Sequence, residues 1–378
     1  AQLIMQEEFI NKGSIKYIQY IVNKLNVKKI LLVTGKKSFS LCGAKNKIDI
    51  LLKNINFVKF NNFKSNPSLE DVECGIKLLR ESNPGLIVAI GGGSVIDMAK
   101  MINIFSVQKD IDLMDYIEDS ALIKKKGAPL VAIPTTIGTG SEATHFAVVY
   151  VDKVKYSLAH QFMLPDYVIV DTELSCNLPK NIVASSGMDA LSQAVESYWA
   201  VKSTNESKEY ASEAIVLALG SIKDAVKGDK KARMMMSKAA YLAGKAINIT
   251  TTTAPHAISY PITTYFGLQH GHAVALTLGK FFVINNNFHY SDLIDVRGEE
   301  YLKNNMMELF ILFGTSSALE CRDKWYEIMK SINLESNMHN VGIKSSSDIE
   351  DIINNVNIER LENNPIKIRK NELKKIFQ

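Results

Sequence analysis

Asp189 and Gln193 stand four residues apart in SSGMDALSQAVESYW, a stretch with helical spacing. On a helix that interval turns both side chains to one face. His256 and Tyr260 repeat the interval in PHAISYP, and His270 opens HGHA with His272 two residues on. Carboxylate, amide, imidazole and phenol are groups that hold a divalent cation or move a proton. Taken singly, each histidine reads more simply as a packed or capping side chain, and Tyr260 equally as a structural aromatic.

A second set of residues suits phosphate. In LIVAIGGGSVIDMAK (86–100) an apolar run meets Gly91, Gly92 and Gly93, and a helix is expected from about Ser94. Glycines let backbone approach a ligand closely, and a helix start offers unpaired N–H groups and a positive dipole end. The turn lacks the G-x-G-x-x-G spacing, so by itself it is also consistent with a tight turn that binds nothing. IPTTIGTGSEAT (133–144) follows another apolar run and places five hydroxyl residues and two glycines in its turn. Two such loops after two strands of one sheet suit a dinucleotide.

These residues need elements to position them. Residues 29–34, 86–90, 129–133 and 167–170 are short apolar runs, and 15–25 and 69–80 have helical period, with Ser68 a cap for the latter. Continuous apolar strands separated by helices imply a parallel sheet covered on both faces. After Pro179, segments 185–201, 206–225 and 231–247 are helical with few strand signals. The expected architecture is an α/β amino-terminal domain, residues 1–180, built on a parallel Rossmann-like sheet, then an all-α domain, residues 181–378. The tail beyond about 335 reads as peripheral helix.

Composition narrows the class. The 378 residues are 46% hydrophobic and 22% charged, with a net charge of +4 spread over 44 cationic and 40 acidic side chains. That diffuse balance excludes a concentrated basic face for nucleic acid. The four cysteines, Cys42, Cys74, Cys176 and Cys321, form no C-x-x-C pair, arguing against a disulfide framework or thiolate zinc site. The amino-terminal AQLIMQEEFINKG lacks a leader pattern, and no apolar run approaches the roughly 20 residues needed to cross a bilayer. The expectation is a cytoplasmic enzyme with no membrane partner.

GGGSVIDMAK, PTTIGTGSE, GMDALSQAVE and HAISYP…HGHA, in that order, together resemble the iron-containing (group III) alcohol dehydrogenases. The resemblance covers most of the chain and weakens after about residue 290. It implies a metal-dependent, nicotinamide-linked dehydrogenase acting on a small alcohol or aldehyde, at least a homodimer, with a dehydroquinate synthase-like architecture. By that likeness Gly92, Gly93 and Ser94 hold the pyrophosphate, and Asn66, Thr135, Thr136, Thr139 and Lys155 line the coenzyme cleft. Relatives that use NAD often carry Asp after the first strand. Here the strand ends Val33-Thr34-Gly35-Lys36-Lys37, which leaves room at Gly35 for a 2′-phosphate and favours NADPH over NADH.

The same likeness implies the metal ligands Asp189, His256 and His270, with Gln193 where the family has a second His. An amide oxygen is a harder, weaker ligand than imidazole. Gln193 can coordinate directly or through a water, or the site can be degenerate and empty. The expected metal is Fe2+, with Zn2+, Mn2+ or Ni2+ as substitutes. Tyr260 stands where many relatives carry a His credited with proton relay, and His272 is an alternative relay.

Both departures resemble the branch that reduces phosphonoacetaldehyde to 2-hydroxyethylphosphonate, with Lys280, Lys155 and Thr251–Thr253 available to an oxyanion. The alternatives are a generic short-chain aldehyde or diol dehydrogenase, a sugar-phosphate cyclase of the same architecture, or a binding protein without catalysis.

Overall fold

Runs rich in Val, Ile, Leu and Phe become the strands β1 (Glu7–Ile10), β2 (Lys29–Thr34), β3 (Asn56–Phe60), β4 (Leu86–Gly91) and β5 (Leu130–Pro134). A hairpin of β6 (Phe146–Val151) and β7 (Val154–Ala159) follows, then β8 (Tyr167–Val170). The computed structural model describes residues 5–109, 112–152 and 154–377; the first four residues of the amino-terminal stretch read above lie outside them. The chain divides into two units, Ala1–Leu178 and Pro179–Gln378.

In the first unit six strands pair in parallel in the order β1-β8-β5-β4-β2-β3. Successive side chains of a strand point to opposite faces, and here both faces are covered. Ile30 and Leu32 of β2 join one buried cluster with Leu86, Val88 and Ile90 of β4, whereas Leu31, Val33, Ile87 and Ala89 join the other. Burial on both sides is why these strands read as unbroken apolar runs. The edge strands β1 and β3 are half exposed and carry Glu or Lys, so they lacked that signal.

The helices of this unit are α1 (Ile18–Lys24), α2 (Ser38–Leu41), α3 (Ala44–Leu51), α4 (Leu69–Ser82), α5 (Gly93–Ser106) and α6 (Leu113–Glu118). Helix α4 opens with a capping box: Ser68 Oγ accepts the Asp71 N–H at 3.3 Å while the Asp71 carboxylate accepts the Ser68 N–H. The expected helix over 15–25 instead begins as a 3-10 turn, Ser14–Tyr17, where Asp171 captures the N–H groups of Gly13 and Ile15.

The second unit contains α7 (Lys180–Trp199), α8 (Asn205–Lys227), α9 (Lys230–Thr250), α10 (Ala254–Phe266) and α11 (His270–Asn286), then α12 (Glu299–Phe313), α13 (Ala318–Ser331), α14 (Ser346–Asn354), α15 (Ile358–Glu362) and α16 (Lys370–Ile376). Helix α7 is buried from Val183 onward except at Ser186, and packs against α8, α9 and α11. Its small residues permit that: a Cβ on Gly187 would lie 3.1 Å from Ile222 Cδ1. Among the described residues no helix is long and apolar enough to cross a membrane.

Candidate functional site

In the first unit, β2, β4 and β5 run parallel and in register, with Thr34 opposite Ile90 and Gly91 opposite Pro134. The turns that follow them therefore emerge at one edge, which brings Gly35, Gly92–Ser94 and Thr135–Thr139 to the same end of the sheet. Asn66, exposed, lies in the segment after β3, and Lys155 lies on β7. The two loops touch. A Cβ on Gly92 would lie 3.1 Å from Thr136 Cγ2, and one on Gly93 2.8 Å from Thr139 Oγ1. Thr135 donates its N–H to Gly91 O at 2.9 Å, and Ser94 Oγ donates to Ser65 O. Helix α5 starts at Gly93 with no side-chain cap, so the N–H groups of Gly93 and Ser94 have no intrahelical acceptor.

The second loop is held from beneath by residues the sequence reading passed over. Lys100 is almost completely buried; its ammonium donates to the carbonyls of Ser141, Thr144 and Phe146 at 2.5, 2.7 and 2.8 Å. Asp97 accepts from Ser141 Oγ and, at 3.0 Å, from the Val148 N–H. Burial pushes the Asp97 carboxyl up against the pull of Lys100. It also pushes the Glu142 carboxyl up to about 7 and draws the Lys100 ammonium down to about 8, while the nearby Asp97 and Glu142 charges hold that ammonium up. Both Asp97 and Lys100 lie in the quoted GGGSVIDMAK, one and two helical turns beyond its glycines.

In the second unit, α7, α10 and the first residue of α11 bring Asp189, His256 and His270 together, with one ligand atom of each within 4.8 Å of the others. His256 Nε2 lies 3.3 Å and His270 Nε2 3.7 Å from Asp189 Oδ1. One carboxylate oxygen and two imidazole nitrogens at that separation form a donor set suited to one divalent cation. Gln193 joins from the next turn of α7: its Nε2 lies 3.4 Å from Asp189 Oδ1.

Glu196, missed in the sequence, stands behind His256. Seven residues beyond Asp189 it falls on the same face of α7 and is fully buried. One oxygen takes His256 Nδ1; the other accepts the N–H groups of Thr253 and His256 at 3.1 and 3.2 Å and the Thr253 hydroxyl at 3.0 Å. It thus caps the start of α10 and fixes the ring, leaving Nε2 for the cluster. Burial disfavours the charged ring, but the Glu196 and Asp189 carboxylates outweigh it and hold His256 up to about 9. The signal was present as an acid completing the Asp189, Gln193 row.

Gly271 lets the two helices meet. A Cβ there would lie 2.0 Å from Ser185 O and 2.8 Å from Asp189 Cβ. Tyr260, half-buried, follows His256 by one turn of α10. His272 is not brought into the cluster: two residues round the helix from His270, its Nε2 donates to the Glu335 carbonyl at 2.7 Å. Nor is the Thr253 hydroxyl open for a substrate, and Lys280 stands ten residues beyond His270 on α11. The Thr253 hydroxyl also receives the Trp199 indole N–H at 3.0 Å, and Lys280 donates to Ile376 O at 2.5 Å. Thr251 has φ 58°, a strained conformation for a β-branched residue, next to this start of α10.

Residues 6–172 match the family model for iron-containing alcohol dehydrogenase, and residues 183–378 match that for the carboxyl-terminal domain of the Fe-containing alcohol dehydrogenase family. The long-chain-alcohol dehydrogenase 1 of Geobacillus thermodenitrificans is 36% identical over 216 residues, 56% of this chain, which spans 54% of that protein's length. Phosphonoacetaldehyde reductase of Streptomyces viridochromogenes is 34% identical over 250 residues, 64% of this chain and 63% of that protein. The solved sulfoacetaldehyde reductase of Bifidobacterium kashiwanohense, in complex with NAD+, superposes with a TM-score of 0.87 at 27% identity, covering 98% of this chain and 96% of that one.

Proposed function

The chain belongs to the iron-containing alcohol dehydrogenase family, and from that premise we propose that it reduces phosphonoacetaldehyde to 2-hydroxyethylphosphonate, using NADPH in preference to NADH. The observation that carries the reductase reading is the Asp189, His256, His270 cluster, oriented by Glu196. When bound, the coenzyme supplies the hydride and a divalent cation, Fe2+ in this reading, supplies Lewis acidity toward the carbonyl oxygen.

The chain's own residues do the rest. Asp189, His256 and His270 hold the cation, with Gln193 a weaker fourth partner whose amide must turn its oxygen toward it, since Nε2 is the atom 3.4 Å from Asp189 Oδ1. The Tyr260 hydroxyl holds the proton delivered to the product oxygen. Gly92, Gly93 and Ser94 cradle the pyrophosphate, with Thr135, Thr136, Thr139, Asn66 and Lys155 around the coenzyme. Gly35, followed by Lys36 and Lys37, accommodates a 2′-phosphate. Support for the substrate comes from two relatives named for two-carbon aldehydes that end in an oxyanion, one a phosphonate and one a sulfonate. The enzyme is read as a cytoplasmic homodimer or larger assembly, which sedimentation would check.

The test is anaerobic NADPH oxidation with added Fe2+, comparing phosphonoacetaldehyde with propanal. A kcat/KM for phosphonoacetaldehyde well above that for propanal is expected. Equal turnover of propanal would overturn the substrate, and no metal-stimulated NADPH oxidation with either aldehyde would overturn the reductase.

A further inference from the structure

Lys280, a candidate oxyanion partner in the sequence, stands ten residues beyond His270 on α11, about 15 Å along the helix axis. It faces a different feature, a cavity of about 390 Å³ walled by α11, α13 and the segment through α16. Val283, Ile284, Phe288, Ile366, Ile368 and Ile376 give it an aliphatic and aromatic wall. Four cations, Lys280, Arg322, Lys367 and Lys375, line it against two acids, Asp292 and Glu372.

Those acids are already engaged. Arg369 pairs with Asp292 at 2.5 Å, and the Glu372 carboxylate accepts the Arg369 N–H at 2.6 Å. The Lys280 ammonium donates to a neutral carbonyl, that of Ile376, which leaves its charge uncancelled. Burial and the neighbouring Arg322 guanidinium both draw Lys280 below the ordinary lysine range. Arg322 shares its charge with Asp323, an exposed neighbour, where pairing is weak. Among the described residues no carboxylate lies within ion-pair distance of Lys280, Lys367 or Lys375. Two like charges facing one largely apolar cavity are relieved by an anion with an apolar body.

We propose that this cavity binds a small amphiphilic anion, an aliphatic carboxylate whose head lies between Lys280 and Arg322 and whose chain lies on Val283, Ile284 and Phe288. The site is distinct from the Asp189 cluster and its occupancy does not depend on the reductase reading.

Isothermal titration of the full chain with sodium octanoate, and with 1-octanol as the neutral counterpart, tests it. Octanoate binds saturably and about tenfold more tightly than octanol, the loss of a charge-assisted bond being of that size. Lys280→Met weakens octanoate by about the same factor, and Ile284→Trp, which fills the cavity, abolishes binding. Asp189→Ala leaves binding unchanged. Thermal melting reports whether each variant is folded, and either cavity variant alone suffices for the test. Absence of saturable octanoate binding, equal affinity for octanol, or binding lost in Asp189→Ala but kept in Ile284→Trp would overturn the proposal.

Discussion

Glu196 receives His256 twice, the ring Nδ1 on one carboxylate oxygen and the backbone N–H on the other at 3.2 Å. One buried acid thereby sets both the start of α10 and the direction of the imidazole. Glu196→Gln keeps the size and one acceptor but loses the charge that stabilises Nδ1–H. Metal affinity, read by competition with a chromogenic chelator, is expected to fall roughly 10- to 100-fold. An unchanged affinity would show that the ring is oriented without the carboxylate.

Gly271→Ala tests the approach of α11 to α7. A methyl group 2.0 Å from Ser185 O cannot be absorbed by a side-chain rotation, because the obstacle is backbone. The helices must part, which displaces His270 from Asp189. A loss of about 2 kcal/mol in stability is expected from the overpacking, together with weakened metal binding in the folded protein. Denaturant unfolding and metal titration read the two separately.

Asp189→Ala removes the carboxylate that both imidazoles approach. Metal binding and aldehyde reduction are expected to be lost, while NADPH still quenches or shifts protein fluorescence with near wild-type affinity. Loss of coenzyme binding in this variant would contradict the assignment of coenzyme and metal to separate sets of residues.

Glu142 provides the pH dependence. Its carboxyl is held up to about 7 in the folded chain against 4.5 for the free group, chiefly by burial. Between those values the folded state binds more protons than the unfolded, so this group makes stability fall as pH rises from about 4.5 to 7. Glu142→Gln removes that component, so the variant gains stability relative to wild type across the window, by up to about 3 kcal/mol at its upper end. Urea unfolding at pH 5 and pH 7 measures the difference, and a constant gap between the two proteins would refute it.

Gly35→Asp tests coenzyme choice. A new side chain there would meet Ser38 Oγ, a flexible group that can turn away. A carboxylate would repel a 2′-phosphate and accept ribose hydroxyls, so kcat/KM for NADPH relative to NADH is expected to fall by about tenfold or more. An unchanged ratio would place coenzyme discrimination elsewhere.

Much of this was readable without coordinates because it depends on local pattern. The buried strands β2, β4, β5 and β8 announce themselves as apolar runs, since a strand covered on both faces needs no polar alternation. The long helices α7, α8 and α9 show the 3.6-residue period, and the glycines after β4 mark a close backbone approach. The i, i+4 spacings of Asp189 with Gln193 and His256 with Tyr260 follow from helix geometry alone. What tertiary structure decided is convergence across elements. The packing of α7, α10 and α11 sets His270 against Asp189 and leaves His272, two residues away, bonded to Glu335 O. Likewise a buried Lys100 beneath the second loop and a Glu196 behind His256 gain their roles from partners 41 to 60 residues distant. Sequence periodicity states which face of a helix a side chain occupies; what lies opposite that face is set by long-range packing.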